Sequence, residues 1–326
     1  MSSITIADVG EFGLISAIDR ALAGHTSPGV HLGRGDDAAV VAAPDGRVVV
    51  STDMLVEGRH FRRDWSSARD VGVKAAAQNL IDIAAMGAHG STLVVALALP
   101  ADLPVDWVTE MYAGMRAEAE AQGAAIVGGD VVRGDRIVIS VTVIGDLAGA
   151  TPVLRSGAQV GDVVAVAGRL GWAAAGLSIL SRGFRTPRAL VDAHRRPEPP
   201  YAAAWAAAAA GATAMIDVSD GLVADLMHVA VASGVAMDID PTALVVADPV
   251  ASAAAAFNAD PLVWILTGGE DHAVVATFPA GVTLPEGFVA FSTVVEPADV
   301  PALSGPGVTV AGRVPLGAAG HDHFAS

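Results

Sequence analysis

The sequence contains no cysteine and only one lysine, Lys74, in 326 residues. Without cysteine there is no disulfide framework, no thiolate zinc or iron–sulfur site and no thiol nucleophile. With one lysine and no Gly-Lys-Ser/Thr run, a P-loop phosphate cradle is absent. The protein-kinase set of glycine-rich loop, strand lysine and His-Arg-Asp loop is missing as well. Positive charge is scarce: 19 Lys plus Arg stand against 35 Asp plus Glu, a formal charge of −16. With a pI near 4.7, the chain lacks the basic face that nucleic acid or an anionic membrane needs. Long apolar runs are missing too. The stretch from Tyr201 to Ile216 is mostly alanine, is broken by Gly211, and falls short of the ~20 strongly apolar residues of a spanning helix. The opening Met1-Ser2-Ser3-Ile4-Thr5 has no basic n-region and no apolar h-region, so no secretory signal and a cytoplasmic location are expected.

What is present suffices for well-formed cores. Hydrophobic residues make up 52% of the chain, which excludes a largely disordered protein. At roughly 150 residues per domain, the length suggests two domains. Helix-like and strand-like stretches alternate, which predicts an α/β or α+β fold. Strands are expected at Val48 to Val50, Leu93 to Leu99, Arg136 to Gly145, Val163 to Ala167, Leu262 to Leu266 and Ala273 to Phe278. Helices are expected at Arg69 to Ala88, Trp107 to Gln122, Ala173 to Leu180, Ala202 to Ala210 and Gly221 to Ser233, with a Pro-rich loop from His194 to Pro200. The small-residue run Leu147-Ala148-Gly149-Ala150-Thr151-Pro152 reads as a domain boundary, giving domains 1–146 and 147–326.

Short acidic clusters beside glycines carry the chemistry. They are Gly35-Asp36-Asp37, Ser51-Thr52-Asp53, Asn79-Leu80-Ile81-Asp82, Gly128-Gly129-Asp130, Asp217-Val218-Ser219-Asp220-Gly221 and Gly268-Gly269-Glu270-Asp271. Any single one is accounted for by a turn or a helix cap, because Asx side chains satisfy loop backbone groups. Together, carboxylates with hydroxyl neighbours form the oxygen-ligand set that Mg²⁺ prefers. A polyphosphate handled by so few cations would need metal ions for most of its neutralisation, with Arg133 and Arg155 assisting.

In order, these clusters resemble those of the thiamine-monophosphate kinase family. Gly10-Glu11-Phe12-Gly13-Leu14-Ile15 is similar to its opening motif. The segments Gly35 to Val40 and Ser51 to Phe61 follow at family-like spacing. Asn79 to Ala88 resembles its "NLSDIAAMGA" helix with Ile81 in place of serine, and Gly128 to Gly134 resembles "GGDTTRG" with Val131 and Val132 for the threonines. Asp217 to Leu222, Gly268 to Asp271 and the ending Asp322-His323-Phe324 complete the series, which runs from Gly10 to Phe324. The resemblance implies the two-domain fold of aminoimidazole ribonucleotide (AIR) synthetase. An N-terminal sheet domain would dimerise, a C-terminal α/β domain would follow, and ATP with several Mg²⁺ ions would lie in the cleft between them. It also implies transfer of phosphate from ATP to thiamine monophosphate.

Residue roles carry over on the same terms. The metal ligands map onto Asp37, Ser51, Thr52, Asp53, Asp82, Asp130, Asp217 and Asp220. For Asp217 and Asp220, capping of the following helix is an alternative that can coexist with a metal. Gly129, Asp130, Arg155 and Ser219 match ATP contacts. Tyr112 lies near the position of an adenine-stacking aromatic, or is a core tyrosine on a helix face. His60, Glu270 and His321 match substrate-side positions, His60 orienting the acceptor rather than exchanging protons. No general base is expected, since a phosphate monoester with a second pKa near ~6 is already ionised at neutral pH. His321 replaces the aromatic that the family usually has before Asp-His-Phe, and His272 replaces the tyrosine after Gly-Gly-Glu-Asp. Two other readings stand beside this one: another ATP-using AIR-synthetase-like enzyme, and a non-catalytic acidic metal- or nucleotide-binding protein. No Asp-x-Asp-x-Asp-Gly loop of EF-hand type supports the calcium version of the latter.

Overall fold

The computed structural model describes residues 4–34, 38–315 and 320. The chain divides into two compact units, residues 1–83 with 88–150, and residues 84–87 with 151–326.

In the first unit the chain runs α1 (Ile6–Ala21), β1 (Val30–Leu32), β2 (Val40–Val41), β3 (Val49–Val56), α2 (Ala68–Ala85), β4 (His89–Leu99), α3 (Val105–Ala121), β5 (Ala125–Arg133) and β6 (Val138–Asp146). Four strands form one sheet in the order β3-β6-β4-β5, with β4 and β5 parallel and the other pairs antiparallel. Strand alternation gives this sheet two unlike faces. Leu93, Val95, Leu97, Leu99, Ile139, Val141 and Val143 are all buried on one face. Val50, Met54, Val94 and Val132 on the other face are exposed. In α3, Val108, Met111, Tyr112, Met115 and Ala119 recur at helical spacing and are buried. Each fully buried Val or Met among them is worth about 1.5–3 kcal/mol. The backbones of α2 and α3 meet where both are glycine: a Cβ on Gly72 would stand 1.8 Å from Met111 O, and one on Gly114 2.1 Å from Arg69 O.

The second unit continues with β7 (Val163–Ala167), α4 (Trp172–Ser181), α5 (Arg188–Arg195), α6 (Tyr201–Ala209), β8 (Ala214–Val218), α7 (Leu222–Ser233), β9 (Ala236–Ile239), α8 (Asp248–Phe257), α9 (Pro261–Thr267), β10 (Ala273–Phe278), β11 (Phe288–Val295) and β12 (Gly307–Val310). Its sheet has the order β12-β9-β11-β7-β10-β8, antiparallel throughout except for β12 and β9. The apolar core forms where α7 covers the sheet, with Leu222, Leu226 and Val229 against Ile216, Val275 and Val308.

Two expectations are corrected. The segment expected to be a strand at Leu262 to Leu266 is the helix α9, because Asp260 caps it by accepting from Leu262 N at 2.9 Å and Pro261 occupies its first turn. The loop expected from His194 begins inside α5, whose last turn includes His194 and Arg195. Among the described residues, no single helix is long and apolar enough to cross a membrane.

Candidate active site

In the first unit, α2 lies against the edge strand β3 so that polar groups meet in successive rungs. Ser51 Oγ donates to Asp82 Oδ2 at 2.6 Å. One turn back along α2, Asn79 Oδ1 accepts from Asp53 N at 2.9 Å, and Gln78 Nε2 donates to Asp53 Oδ2 at 3.3 Å. Asn79 is itself anchored by donating to Ala75 O at 2.8 Å. Two carboxylates are therefore held on neighbouring rungs by neutral amides and a hydroxyl. This is an all-oxygen donor set suited to a hard divalent cation.

Thr52 does not join them. Strand alternation turns it to the opposite face, where its hydroxyl donates to Val141 O at 3.0 Å and accepts from Thr142 at 3.1 Å. Asp130 is also apart from them. Across the sheet Asp53 aligns with Val141, Val95 and Gly129, so Asp53 and the Gly129-Asp130 pair sit on opposite edge strands. Three strand spacings amount to roughly 14 Å. With oxygen ligands at about 2 Å from Mg²⁺, Asp53 and Asp130 of one chain cannot share an ion. Among the described residues, no group of three or more His, Asp or Glu side chains is close enough to hold a metal ion. Asp37 and His321 lie outside the described residues.

The adenine role read for Tyr112 is corrected. Its ring faces into the core from α3 and is 3% exposed, which leaves no face for a base, and burial raises its phenol well above the usual range.

The turn after β3 fixes His60. Its Nδ1 accepts from Val56 N at 2.9 Å. A backbone N–H can only donate, so the neutral ring carries its proton on Nε2. Lys74 is 2% exposed and spends an Nζ donor on the His60 carbonyl at 3.0 Å. The one lysine of the chain thus braces a turn. On the same turn, Glu57, Gly58, Arg62, Arg63 and Asp64 line an open cleft of about 450 Å³.

In the second unit, Asp217 is buried at the end of β8 and its Oδ2 lies 3.1 Å from His272 Nδ1. Asp217 and Asp220 do not cap α7. The N-cap is Gly221, and Asp225 in the first turn accepts from Asp220 N at 3.0 Å and Gly221 N at 3.1 Å. Gly221 is required here: its φ is +131°, and a Cβ would stand 2.9 Å from the Thr267 carbonyl. Burial, reinforced by the Asp217 carboxylate, pushes Asp225 up to about 7. Ser219 turns its carbonyl to Glu270 N at 2.7 Å, joining the two acidic loops. Asp271 accepts from Gly171 N at 2.5 Å and Ala173 N at 2.8 Å at the start of α4, and burial pushes it up to about 7. Arg155 is exposed in the single turn Arg155–Gly157, whose backbone is pinned where Ser233 Oγ donates to Arg155 O at 2.9 Å.

Sequence reasoning named Asn79 only within its motif, and missed Asp225 and the bracing role of Lys74. Asn79 stands three residues before Asp82 on one helix face, and Asp225 is an acid in a first helical turn. Both positions were readable as signals.

Residues 35–147 match the model of the AIR synthase related protein N-terminal domain, and residues 159–281 match that of its C-terminal domain. Thiamine-monophosphate kinase of Mycobacterium tuberculosis is 52% identical over 285 residues, covering 86% of this chain and 85% of that protein. Its counterpart from Corynebacterium glutamicum is 42% identical over 281 residues, covering 84% and 83%. Among solved structures, "AaThiL complexed with AMPPCP and TMP" superposes with a TM-score of 0.78 at 32% identity, covering 99% of this chain and all of that one. Thiamine-monophosphate kinase from Stenotrophomonas maltophilia gives 0.78 at 31% identity, covering 94% and 98%.

Proposed function

The chain belongs to the thiamine-monophosphate kinase family, and from that premise we infer its reaction: ATP plus thiamine monophosphate gives ADP plus thiamine diphosphate. The observation that carries this is a relative, similar over essentially the whole chain, solved with an ATP analogue and TMP together. The alternatives of another AIR-synthetase-like reaction or of passive binding are not favoured by these matches.

The mechanism proposed is direct in-line transfer. The acceptor phosphate, with a second pKa near ~6, supplies an oxygen that is already ionised. His60 fits this scheme, since Val56 N–H occupies its Nδ1 and the ring has an Nε2–H donor to orient an acceptor oxygen. Glu270 and His321 are assigned to the substrate as well. Arg155, Gly129 and Ser219 are assigned to ATP, the arginine offering a planar fork to phosphate oxygens. The oxygen donors of Ser51, Asp53 and Asp82 suit Mg²⁺ in the first unit, and Asp130, Asp217 and Asp220 are the proposed ligands elsewhere, with Asp37 in the same role. When bound, such ions would neutralise the phosphate charge that a chain this poor in lysine cannot. Positioning and electrostatics then carry the catalysis, with no phosphoenzyme.

The exposed face of the first unit's sheet, with Val50, Met54, Val94 and Val132, supports a homodimer formed through that face. The cytoplasm is the proposed compartment for an ATP-consuming step of this kind. A coupled assay for ADP tests the reaction: release should require thiamine monophosphate. Equal ADP release without it would overturn the assignment.

A further inference from the structure

The loop from Ser219 to Gly221 joins β8 to α7, and its backbone is held from several sides. Ser219 O accepts from Glu270 N at 2.7 Å. Asp220 N and Gly221 N both donate to one oxygen, Asp225 Oδ2, at 3.0 Å and 3.1 Å. These two N–H groups stand at the start of α7, where no preceding helical turn offers them a carbonyl. Because a peptide unit is planar, Ser219 O and Asp220 N belong to one rigid plate. Glu270 N grips that plate at its carbonyl, and Asp225 grips it at its N–H. Close packing adds to the restraint: a Cβ on Gly269 would stand 2.6 Å from Ser219 O, and one on Gly320 2.6 Å from Asp220 O. Access divides the same residues. Asp225 is 3% exposed, whereas Ser219 and Asp220 are half-buried. A ligand can meet the side chains of the loop, while the carboxylate that fixes its backbone is withheld from solvent.

We propose that Asp225 is a positioning residue for ATP: by accepting from Asp220 N and Gly221 N with one oxygen, it holds the turn that presents Ser219 to the nucleotide. The proposal rests on the reading of Ser219 as an ATP contact. A backbone N–H can only donate, so the clamp requires an acceptor oxygen at that place and not a negative charge. Without the acceptor, two N–H groups at the start of α7 lose their partner, and the peptide units on either side of Asp220 turn to find new ones. Ser219 is then presented in several directions, and binding must restore the order.

The test uses the full chain, with steady-state kinetics, calorimetric titration of the ATP analogue AMPPCP with Mg²⁺, and amide hydrogen exchange of the ligand-free protein. In the parent, the Asp220 and Gly221 amides should be protected from exchange, and free exchange at both would overturn the proposal. Asp225→Ala removes the acceptor, Asp225→Leu removes it while filling the space, and Asp225→Asn keeps a carbonyl oxygen. The Ala and Leu variants should expose both amides. They should also raise the KM for ATP and the Kd for AMPPCP roughly 10-fold, the scale of a lost hydrogen bond to a charged group, and leave the KM for thiamine monophosphate within about 3-fold. Asp225→Asn should keep both amides protected and stay within about 3-fold of the parent in every constant. A loss in Asp225→Asn equal to that in Asp225→Ala would assign the effect to charge, and equal effects on both substrates would assign it to general stability; either result overturns the proposal. If Ser219→Ala weakens AMPPCP binding while Asp225→Ala and Asp225→Leu do not, the proposal fails and the reading of Ser219 survives. If Ser219→Ala changes neither ATP constant, that reading fails and the proposal falls with it.

Discussion

Ser51 donates its hydroxyl to the Asp82 carboxylate at 2.6 Å, joining the edge strand β3 to α2. One rung further on, Asn79 and Gln78 of the same helix hold the backbone and the carboxylate of Asp53. The contact of strand and helix thus fixes two acidic oxygen donors through a hydroxyl and neutral amides. Such oxygen donors suit the metal role proposed for them.

Asp53→Asn and Asp82→Asn should each lower kcat at saturating Mg²⁺ by about 100-fold or more, the scale of losing one preorganised electrostatic group. Far-UV circular dichroism should be unchanged. Ser51→Ala should cost less, since a neutral hydroxyl is the weaker ligand. Near-parental turnover in either Asn variant would remove that carboxylate from the proposed site.

Lys74→Met should weaken the brace on the His60 carbonyl and raise the KM for thiamine monophosphate several-fold more than the KM for ATP. Nitrogen-15 spectra of the parent should show the His60 ring protonated at Nε2 and bare at Nδ1, as its contact with Val56 N requires. A ring protonated at Nδ1 would contradict this arrangement.

Asp271 gives a pH signature. Its carboxyl is pushed up to about 7 by burial, against about 3.9 in an unfolded chain. Between those values the folded state keeps a proton that the unfolded state has released, so this group's contribution to stability falls as pH rises. The contribution is complete below about pH 4 and is lost as pH passes through about 7. The thermal stability advantage of the parent over Asp271→Asn should therefore shrink between pH 5 and pH 8. An advantage that grows over that range would reverse the sign of the argument.

The exposed sheet face predicts association. Light scattering at micromolar concentration should give twice the 32.7 kDa chain mass, and Met54→Glu should shift the protein toward the single-chain mass. Met54 is 51% exposed on that face, so the substitution leaves the buried side of the sheet untouched. A parent protein with the single-chain mass would count against the dimer.

Much of this was readable in the sequence because long elements carry their own periodicity. The spacing of Val108, Met111, Met115 and Ala119 marks α3, and the β-branched alternation of 138–145 marks β6. The strand expected at 262–266 failed because a short apolar run fits a strand and a buried helix equally well, and only Asp260-Pro261 distinguishes them. Site residues were legible as types, but their faces were not. Ser51, Thr52 and Asp53 are adjacent in sequence, yet alternation sends Thr52 to the opposite side. The separation of Asp53 from Asp130 depends on strand order, which no local motif records. Tyr112 illustrates the converse, an aromatic at a suggestive position that the core absorbs.

The most direct test of the central assignment follows the phosphorus atom. With ATP labelled at the γ-phosphate and thiamine monophosphate as acceptor, the label should appear in thiamine diphosphate, one per molecule, with unlabelled ADP as the other product and no labelled protein. Label released as inorganic phosphate, with thiamine monophosphate recovered unchanged, would contradict the account.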